Sequence, residues 1–384
     1  MAAIFVGATK QHVGKSSSCL GLVSGFKERL GKCGFIKPVG QRWLPVDGEF
    51  GKELKVDKDV KLMREYFDLK DAYCDMSPVV LPTGYTKDFV DGKIDERLQK
   101  QSILDSFDRI RSKNPFTVVE GTGHCSVGSI INMNNGQVAA LLGLPIIMVV
   151  NGGLGSAFDE LAQNIDTCNA AGAQVKGVLV NKIQPNKIDM VRDYFGRAVM
   201  DRWGIPLVGC VPFGELMDAA TFMDFENIFN TKMASGHEHR LRHFAEYELA
   251  TTDLNLFLEK LHTGKYDSTL FLTHASRSDL VTGYLVYAGF YEKQHGYPMQ
   301  GGILLTGTAQ KHYVWPDQAL RECVSSSNLP ILFTNISTSE SVKKLSSYVA
   351  KLNAEDPSRT DAVVDQYSKH IDYDKILQIA NQAK

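Results

Sequence analysis

The sequence predicts an α/β protein: a parallel sheet with helices on both faces, followed by a second, smaller α/β domain. Three observations predict it. Short β-branched runs alternate with amphipathic helical runs through the first ~230 residues, the pattern of a doubly covered parallel sheet with right-handed crossovers. The alternation pauses over a polar, histidine-bearing stretch and resumes at Thr251. The first unit opens with a strand, a glycine-containing loop and a helix, the order that receives a nucleotide phosphate.

At 384 residues the chain is too long for one ordinary core and suits two domains. Its 43% apolar and 22% charged content are those of a globular protein. A net charge of −2 gives no reason to expect nucleic acid or an anionic membrane as partner. Cys19, Cys33, Cys74, Cys125, Cys168, Cys210 and Cys323 are scattered without a C-x-x-C pair. Metal and disulfide frameworks are therefore not expected, and a reducing compartment is. The first residues already read as a buried strand, leaving no room for a leader. The longest apolar stretch, Val138 to Val150, is broken by Gly143 and Pro145 and is too short to span a bilayer. The cytoplasm, or an organelle lumen after processing, is the expected location.

Taken in order, Ile4-Phe5-Val6 is a strand feeding the loop Gly7 to Ser16, and Leu20, Leu22, Val23, Phe26 and Leu30 make the following helix amphipathic. Thr9, His12, Val13, Gly14, Lys15, Ser16 and Ser17 are the candidate phosphate contacts. Consecutive backbone N–H groups curl around a β-phosphate, and the helix N-terminus adds its partial positive charge. Lys15 reaches the β and γ oxygens as a point charge, and the Ser16 hydroxyl suits Mg²⁺. Thr9 stands where the first glycine of G-x4-G-K-S falls; the nearest upstream glycine is Gly7. These features predict a P-loop NTPase sheet.

Gly34 to Trp43 opens as a second strand, and Pro38 pushes Lys37 into an extended conformation at its end. Carboxyl ends of parallel strands face the ligand crevice, so Lys37 points where Lys15 points; alone, it is equally an ordinary strand-end lysine. Residues 44–58 are polar and turn-rich and read as a loop. Asp57 and Asp59 open a helix bearing Val60, Leu62, Met63 and Phe67, where acids favour the dipole. After a proline-punctuated loop, a charged helix runs from about Asp95 to Ser112. Phe116 to Glu120 is a buried strand with Glu120 at its carboxyl end, the place of an Mg²⁺ carboxylate in nucleotide-binding sheets. Val138–Leu142 reads as a helix and Leu144–Val150 as a strand. Gly152-Gly153-Leu154-Gly155 lacks a lysine, so turn chemistry explains it better than a second phosphate loop. Val175 to Val180 is a strand leaving on Asn181, which suits a purine edge and equally a turn. A helix near Asp189–Trp203 and a strand Pro206–Val211, followed by Pro212, complete the unit.

The predicted organisation is a nucleotide-binding domain over 1–232, a linker over 233–250, a second domain over 251–352 and a tail over 353–384. His237, His239 and His243 in the linker read as solvated, because no acid or cysteine completes a metal site. The second domain reads as helix Leu254–Leu261, strand Thr269–Thr273, Ser276-Arg277-Ser278-Asp279 opening a helix to Tyr291, strands Gly302–Leu305 and Ile331–Thr334, and helix Ser339–Lys351. Ile371, Ile376, Leu377 and Ile379 give the tail a weak helical pattern, read as one appended helix.

Together, the loop Gly7 to Ser16, Lys37-Pro38-Val39, Asp59, Glu120-Gly121-Thr122-Gly123, Asn181 and Ile205-Pro206-Leu207-Val208-Gly209 with Pro212 resemble dethiobiotin synthetase in content and order. The longer phosphate loop is more similar to the dethiobiotin-synthetase-like domain that precedes the catalytic domain in some phosphate acetyltransferases. Ser276-Arg277-Ser278-Asp279 and Thr306-Gly307-Thr308 resemble a degenerate DRTGG domain, which follows that domain in the same proteins. The resemblance covers about residues 1–350.

It implies ATP and Mg²⁺ as ligands. Lys15 and Ser16 would hold phosphates and metal, with Asp59 and Glu120 as the metal carboxylates. Asn181 would read the adenine, Pro212 would lie among the nucleotide contacts, and Lys37 would face a substrate carbamate and the γ-phosphate. It also implies a homodimer that shares its substrate site, with Lys10 where other dimeric ATPases carry a lysine that reaches the partner's nucleotide. The chain departs from the pattern at Gly40-Gln41-Arg42, where the synthetase has a serine for its diamine, and at His124, where the acidic loop ends in glycine. The small-molecule substrate is therefore left unnamed, and with the acetyltransferase domain absent, acetyl transfer is not expected. Two readings stand side by side. One is an ATP-dependent ligase that phosphorylates a carboxylate or carbamate and lets a nitrogen close on it. The other is an ATP-sensing regulatory protein, in which nucleotide closes a dimer and the DRTGG-like domain passes that state to a partner.

Overall fold

Seven uncharged residues, Ala2–Ala8, form β1, and all seven are buried, as expected of a central strand covered on both faces. The computed structural model describes residues 1–48, 53–214, 217, 219–307, 322, 324 and 327–382. It divides into two units, Met1–Gly214 with Leu352–Lys384, and Glu215–Lys351.

In the first unit the other sheet strands are β2 (Gly34–Ile36), β3 (Phe116–Glu120), β4 (Ile146–Asn151), β5 (Val175–Ile183) and β6 (Leu207–Pro212). They lie in the order β6–β5–β4–β1–β3–β2, and every adjacent pair is parallel. The register sets Val6 beside Glu120 and Asn151 beside Asn181. The polar residues that end these strands therefore collect at one edge of the sheet, where ligands bind in open α/β folds. Helices α1 (Lys15–Leu30), α2 (Lys58–Phe67), α3 (Glu96–Arg111), α4 (Asn135–Leu142), α5 (Gly155–Ala170) and α6 (Gly196–Trp203) follow in the predicted alternation. Asp57 caps α2 and Asp95 caps α3 through side-chain oxygens. Phe26 of α1 stacks on Phe116 at 3.7 Å between ring centroids.

The stretch read as a loop over 44–58 is instead largely an antiparallel hairpin, Trp43–Asp47 against Glu53–Asp57. Half of its residues are exposed and only Val56 and Asp57 are buried, so no apolar alternation marked it in the sequence.

The second unit contains α7 (Phe222–Phe229), β7 (Met233–Ser235), β8 (Tyr247–Leu249), α8 (Leu254–His262), β9 (Leu270–His274), α9 (Ser278–His295), β10 (Gly302–Thr306), β11 (Ile331–Phe333) and α10 (Thr338–Ser347). Its sheet runs β7–β11–β10–β9–β8, parallel except for β7. One core cluster includes Phe257, Phe271, Tyr284 and Leu305. A second, including Phe222, Phe225, Leu272 and Leu304, covers the other face. The stretch read as a linker is not a free connector: Met233–Ser235 and Tyr247–Leu249 are strands of this sheet, and Thr221 pairs with His243. His237, His239 and His243 join no metal-binding group among the described residues. Thr308 of the DRTGG-like stretch lies outside the described residues.

The tail does not form one appended helix. It returns to the first unit as α11 (Pro357–Ser368) and α12 (Tyr373–Gln382). Between them, Cys210 N–H donates to the His370 carbonyl at 3.2 Å, and Asp372 N–H donates to the Val208 carbonyl at 2.8 Å, which ties the turn to β6. Both helices lie on α1, where the small size of Gly21 and Gly25 leaves room for Tyr367 and Tyr373. The Tyr373 hydroxyl donates to the Gly21 carbonyl at 2.9 Å. No helix among the described residues is long and apolar enough to cross a membrane.

Candidate functional site

The loop from Thr9 to Gly14 is held at both ends by neighbouring elements. Thr9 N–H donates to the Val149 carbonyl at 3.1 Å. Asn164 Nδ2 donates to the Thr9 carbonyl at 3.1 Å, and the Thr9 hydroxyl to Glu160 Oε2 at 3.3 Å. His12 (φ 64) and Gly14 (φ 92) both turn the chain left-handed. At Gly14 any side chain would run into the Asn181 amide, so glycine is required there on both counts. Helix α1 begins directly at Lys15 with no side-chain cap. Its first-turn N–H groups, with Ser16 and Ser17 among them, are the donors that an anion takes up. The Lys15 ammonium donates to the Gly123 carbonyl at 3.1 Å. Burial lowers its pKa, with the Glu120 carboxylate opposing that effect.

Next to the loop, four charged side chains close on one another. The Lys37 ammonium, 8% exposed, lies 2.9 Å from Asp57 Oδ1, in shorter contact with Asp59 Oδ2, and 3.6 Å from Glu120 Oε1. The Ser16 hydroxyl donates to Glu120 Oε1 at 2.8 Å and lies 3.3 Å from Asp59 Oδ2. Burial alone would discharge Lys37, but its three carboxylates outweigh burial and hold its pKa well above the ordinary lysine value. Burial likewise opposes ionisation of Asp59, and Lys37 and Lys58 outweigh it, keeping that carboxyl well below the usual range. For Glu120 burial prevails and the pKa is raised, against the pull of Lys37. Glu120 Oε2 is buried and has no hydrogen-bond partner among the described residues. The oxygens of Ser16, Asp59 and Glu120 are the hard donor set that Mg²⁺ prefers, and the orphaned carboxylate oxygen fits such a cation.

At the far end of the loop, Asn181 is wholly buried and its Nδ2 donates to the Val13 carbonyl at 2.7 Å. Its Oδ1 is left without a partner among the described residues, as is that of Asn151, its neighbour in register. The Pro212 carbonyl accepts from Gln366 Nε2 of α11 at 3.3 Å. Lys10 stands apart from the carboxylate group: its exposed ammonium pairs with Glu160 of α5 at 2.7 Å.

The sequence-predicted residues Lys15, Ser16, Lys37, Asp59 and Glu120 thus meet at one place, and Val13, Gly14 and Asn181 at another on the same loop. Two participants were missed. Asp57 reads in the sequence as an ordinary acid at a helix start, and only its spacing of two from Asp59 hints at more. Glu160 carries no local signal, being one acid on a mid-helix face.

The family model described as AAA domain (AAA_26) matches residues 2–221, more than half of the chain. The phosphate acetyltransferase of Pseudomonas aeruginosa is 22% identical over 399 aligned residues, 98% of this chain and 52% of that protein. The ATP-dependent dethiobiotin synthetase BioD of Xanthomonas axonopodis pv. citri is 22% identical over 219 residues, 57% of this chain and 94% of that protein. Among solved structures, the MinD cell division protein of Aquifex aeolicus matches 56% of this chain and 83% of its own, at a TM-score of 0.34 and 14% identity. The chain spans about half the length of the phosphate acetyltransferases it matches.

Proposed function

The chain belongs to the AAA domain family, and from that premise we propose that it binds ATP with Mg²⁺ and passes the γ-phosphoryl group to a carboxylate or carbamate on a small molecule. The observation that carries the reading is Lys37: a buried ammonium beside the Ser16, Asp59 and Glu120 oxygens, where a protein that only senses nucleotide has little use for it. In this reading the α1 amides and Lys15 hold the phosphates, and Ser16, Asp59 and Glu120 hold Mg²⁺. The metal, when bound, neutralises charge on the phosphate oxygens. Lys37 stabilises charge on the accepting oxygen as it meets the phosphoryl group. Asn181 gives one Nδ2–H to the Val13 carbonyl, and its unpartnered Oδ1 is an acceptor that suits the exocyclic amine of adenine. The same reading makes the protein a homodimer in which Lys10 exchanges Glu160 for the partner's nucleotide.

A second reading, ATP sensing through the DRTGG-like unit, draws on Arg42. Its backbone N–H donates to Asp57 Oδ2 at 3.3 Å, engaging the segment that carries a substrate-holding serine in dethiobiotin synthetase. Two assays test and separate the readings. Calorimetric titration of ATP with Mg²⁺ should give saturable binding for the wild type and a loss of about a hundredfold for Lys15→Ala, on the order of 3 kcal/mol; equal binding overturns both readings. ADP formation during turnover should disappear in Lys37→Met while binding persists. No ADP from the wild type with any carboxylate or amine supplied favours the sensor.

A further inference from the structure

Three carboxylates surround one ammonium, and they are not equivalent. Asp59 and Glu120 both face Ser16 and the phosphate loop, and Glu120 Oε2 is uncommitted. Asp57 faces neither. Its Oδ1 takes Lys37 Nζ and the Asp59 N–H at 3.0 Å, its Oδ2 takes the Arg42 N–H, and its own N–H goes to Ser77 Oγ at 3.1 Å. It is also wedged against Gly40, where even a methyl group would lie 2.7 Å from the Asp57 Cβ. A carboxylate anchored at both oxygens on rigid backbone has no freedom to turn toward a metal. The two that face Ser16 have oxygens to give.

We infer that Asp57 is a positioning residue: the permanent counterion of Lys37, which holds the ammonium in place when Mg²⁺ draws Asp59 and Glu120 to itself. The inference rests on the proposed ATP·Mg²⁺ site. Without Asp57, a buried cation would be left facing a divalent metal with its carboxylates withdrawn, an arrangement burial does not tolerate. Lysine and metal would then compete for Asp59 and Glu120.

Asp57→Asn removes the charge while keeping size and the helix cap, for which asparagine serves as well as aspartate. Calorimetric ATP titrations across a Mg²⁺ series, with an EDTA arm, read the effect. The Mg²⁺ concentration for half-maximal tightening of ATP should rise about tenfold or more in D57N, while ATP affinity in EDTA stays within about threefold of wild type. The double variant Lys37→Met with Asp57→Asn should return the Mg²⁺ requirement to within about threefold of wild type, since removing both partners leaves no stranded charge. A wild-type Mg²⁺ dependence in D57N overturns the inference, as does a double variant that fails to recover. If D57N alone does not fold, folding and Mg²⁺ dependence regained by the double variant support the pairing, and a double variant that also stays unfolded overturns it. A wild-type protein that binds no ATP removes the proposed site itself, an outcome visible before any variant is compared.

Discussion

Asn181 Nδ2 holds the Val13 carbonyl at 2.7 Å, so the end of β5 and the turn of the phosphate loop are one rigid piece. Asn181→Ala would leave that buried carbonyl unpaired and should destabilise the first unit by about 1–3 kcal/mol. In the proposed site the same side chain offers Oδ1 to the base, so ATP affinity should fall more than that of inorganic triphosphate. Thermal melts and competition titrations with the two ligands check this; equal losses for both would assign Asn181 to loop shape alone.

A pH test is available in the second unit. Glu226, 5% exposed, accepts from Met233 N–H at 3.1 Å and from Arg240 Nε at 2.8 Å. Burial pushes its pKa up, and Arg240 with the Met233 N–H outweighs burial, so the folded value lies below the ordinary one. A depressed carboxyl pKa stabilises above the unfolded value, about 4.3 for glutamate, and that stabilisation is lost as pH falls through the folded value. Glu226→Gln should therefore cost about 1.5–3 kcal/mol at pH 7, with the gap to wild type closing below pH 4. Hydrogen exchange of the β7 amides, followed from pH 7 to pH 3, measures it. A gap independent of pH would mean that the loss is one of packing.

The Lys10–Glu160 pair predicts how assembly responds to nucleotide. The pair is solvent-exposed and so weakly held, about 0–1 kcal/mol, which a phosphate from a second subunit can outcompete. Light scattering across a dilution series should find the wild type dimeric with ATP and Mg²⁺, and Lys10→Ala shifted toward monomer. Glu160→Ala, which releases Lys10, should dimerise at lower nucleotide concentration. A monomer at micromolar concentration under every condition would sink the proposed dimer and the trans role of Lys10.

What the sequence made legible follows from how local each signal is. Gly14-Lys15-Ser16 behind an apolar strand and ahead of an amphipathic helix specifies its own geometry, and Lys37 and Glu120 betray themselves by standing at strand ends. Asp57 could not be told from a dipole-stabilising acid, because a helix start looks the same whether its carboxylate meets water or a buried ammonium 20 residues away in sequence. The hairpin Trp43–Asp47 with Glu53–Asp57 was hidden by exposure and by Pro45, which removes the alternation a strand normally shows. The destination of Tyr367 and Tyr373 was hidden by distance: Gly21 and Gly25 reveal two small residues on a helix, not the rings that fill the space above them.

That return of the chain has a consequence for how the protein is made. The nucleotide-binding unit is complete only when residues 352–384 join Met1–Gly214, and the whole of the second unit is synthesised in between. At bacterial-to-eukaryotic elongation rates this interval is on the order of ten seconds. Throughout it α1 stands on the nascent chain without the rings of Tyr367 and Tyr373, its glycine face open to water and to other chains. The second unit, continuous in sequence, is wholly synthesised before the last helices of the first can dock.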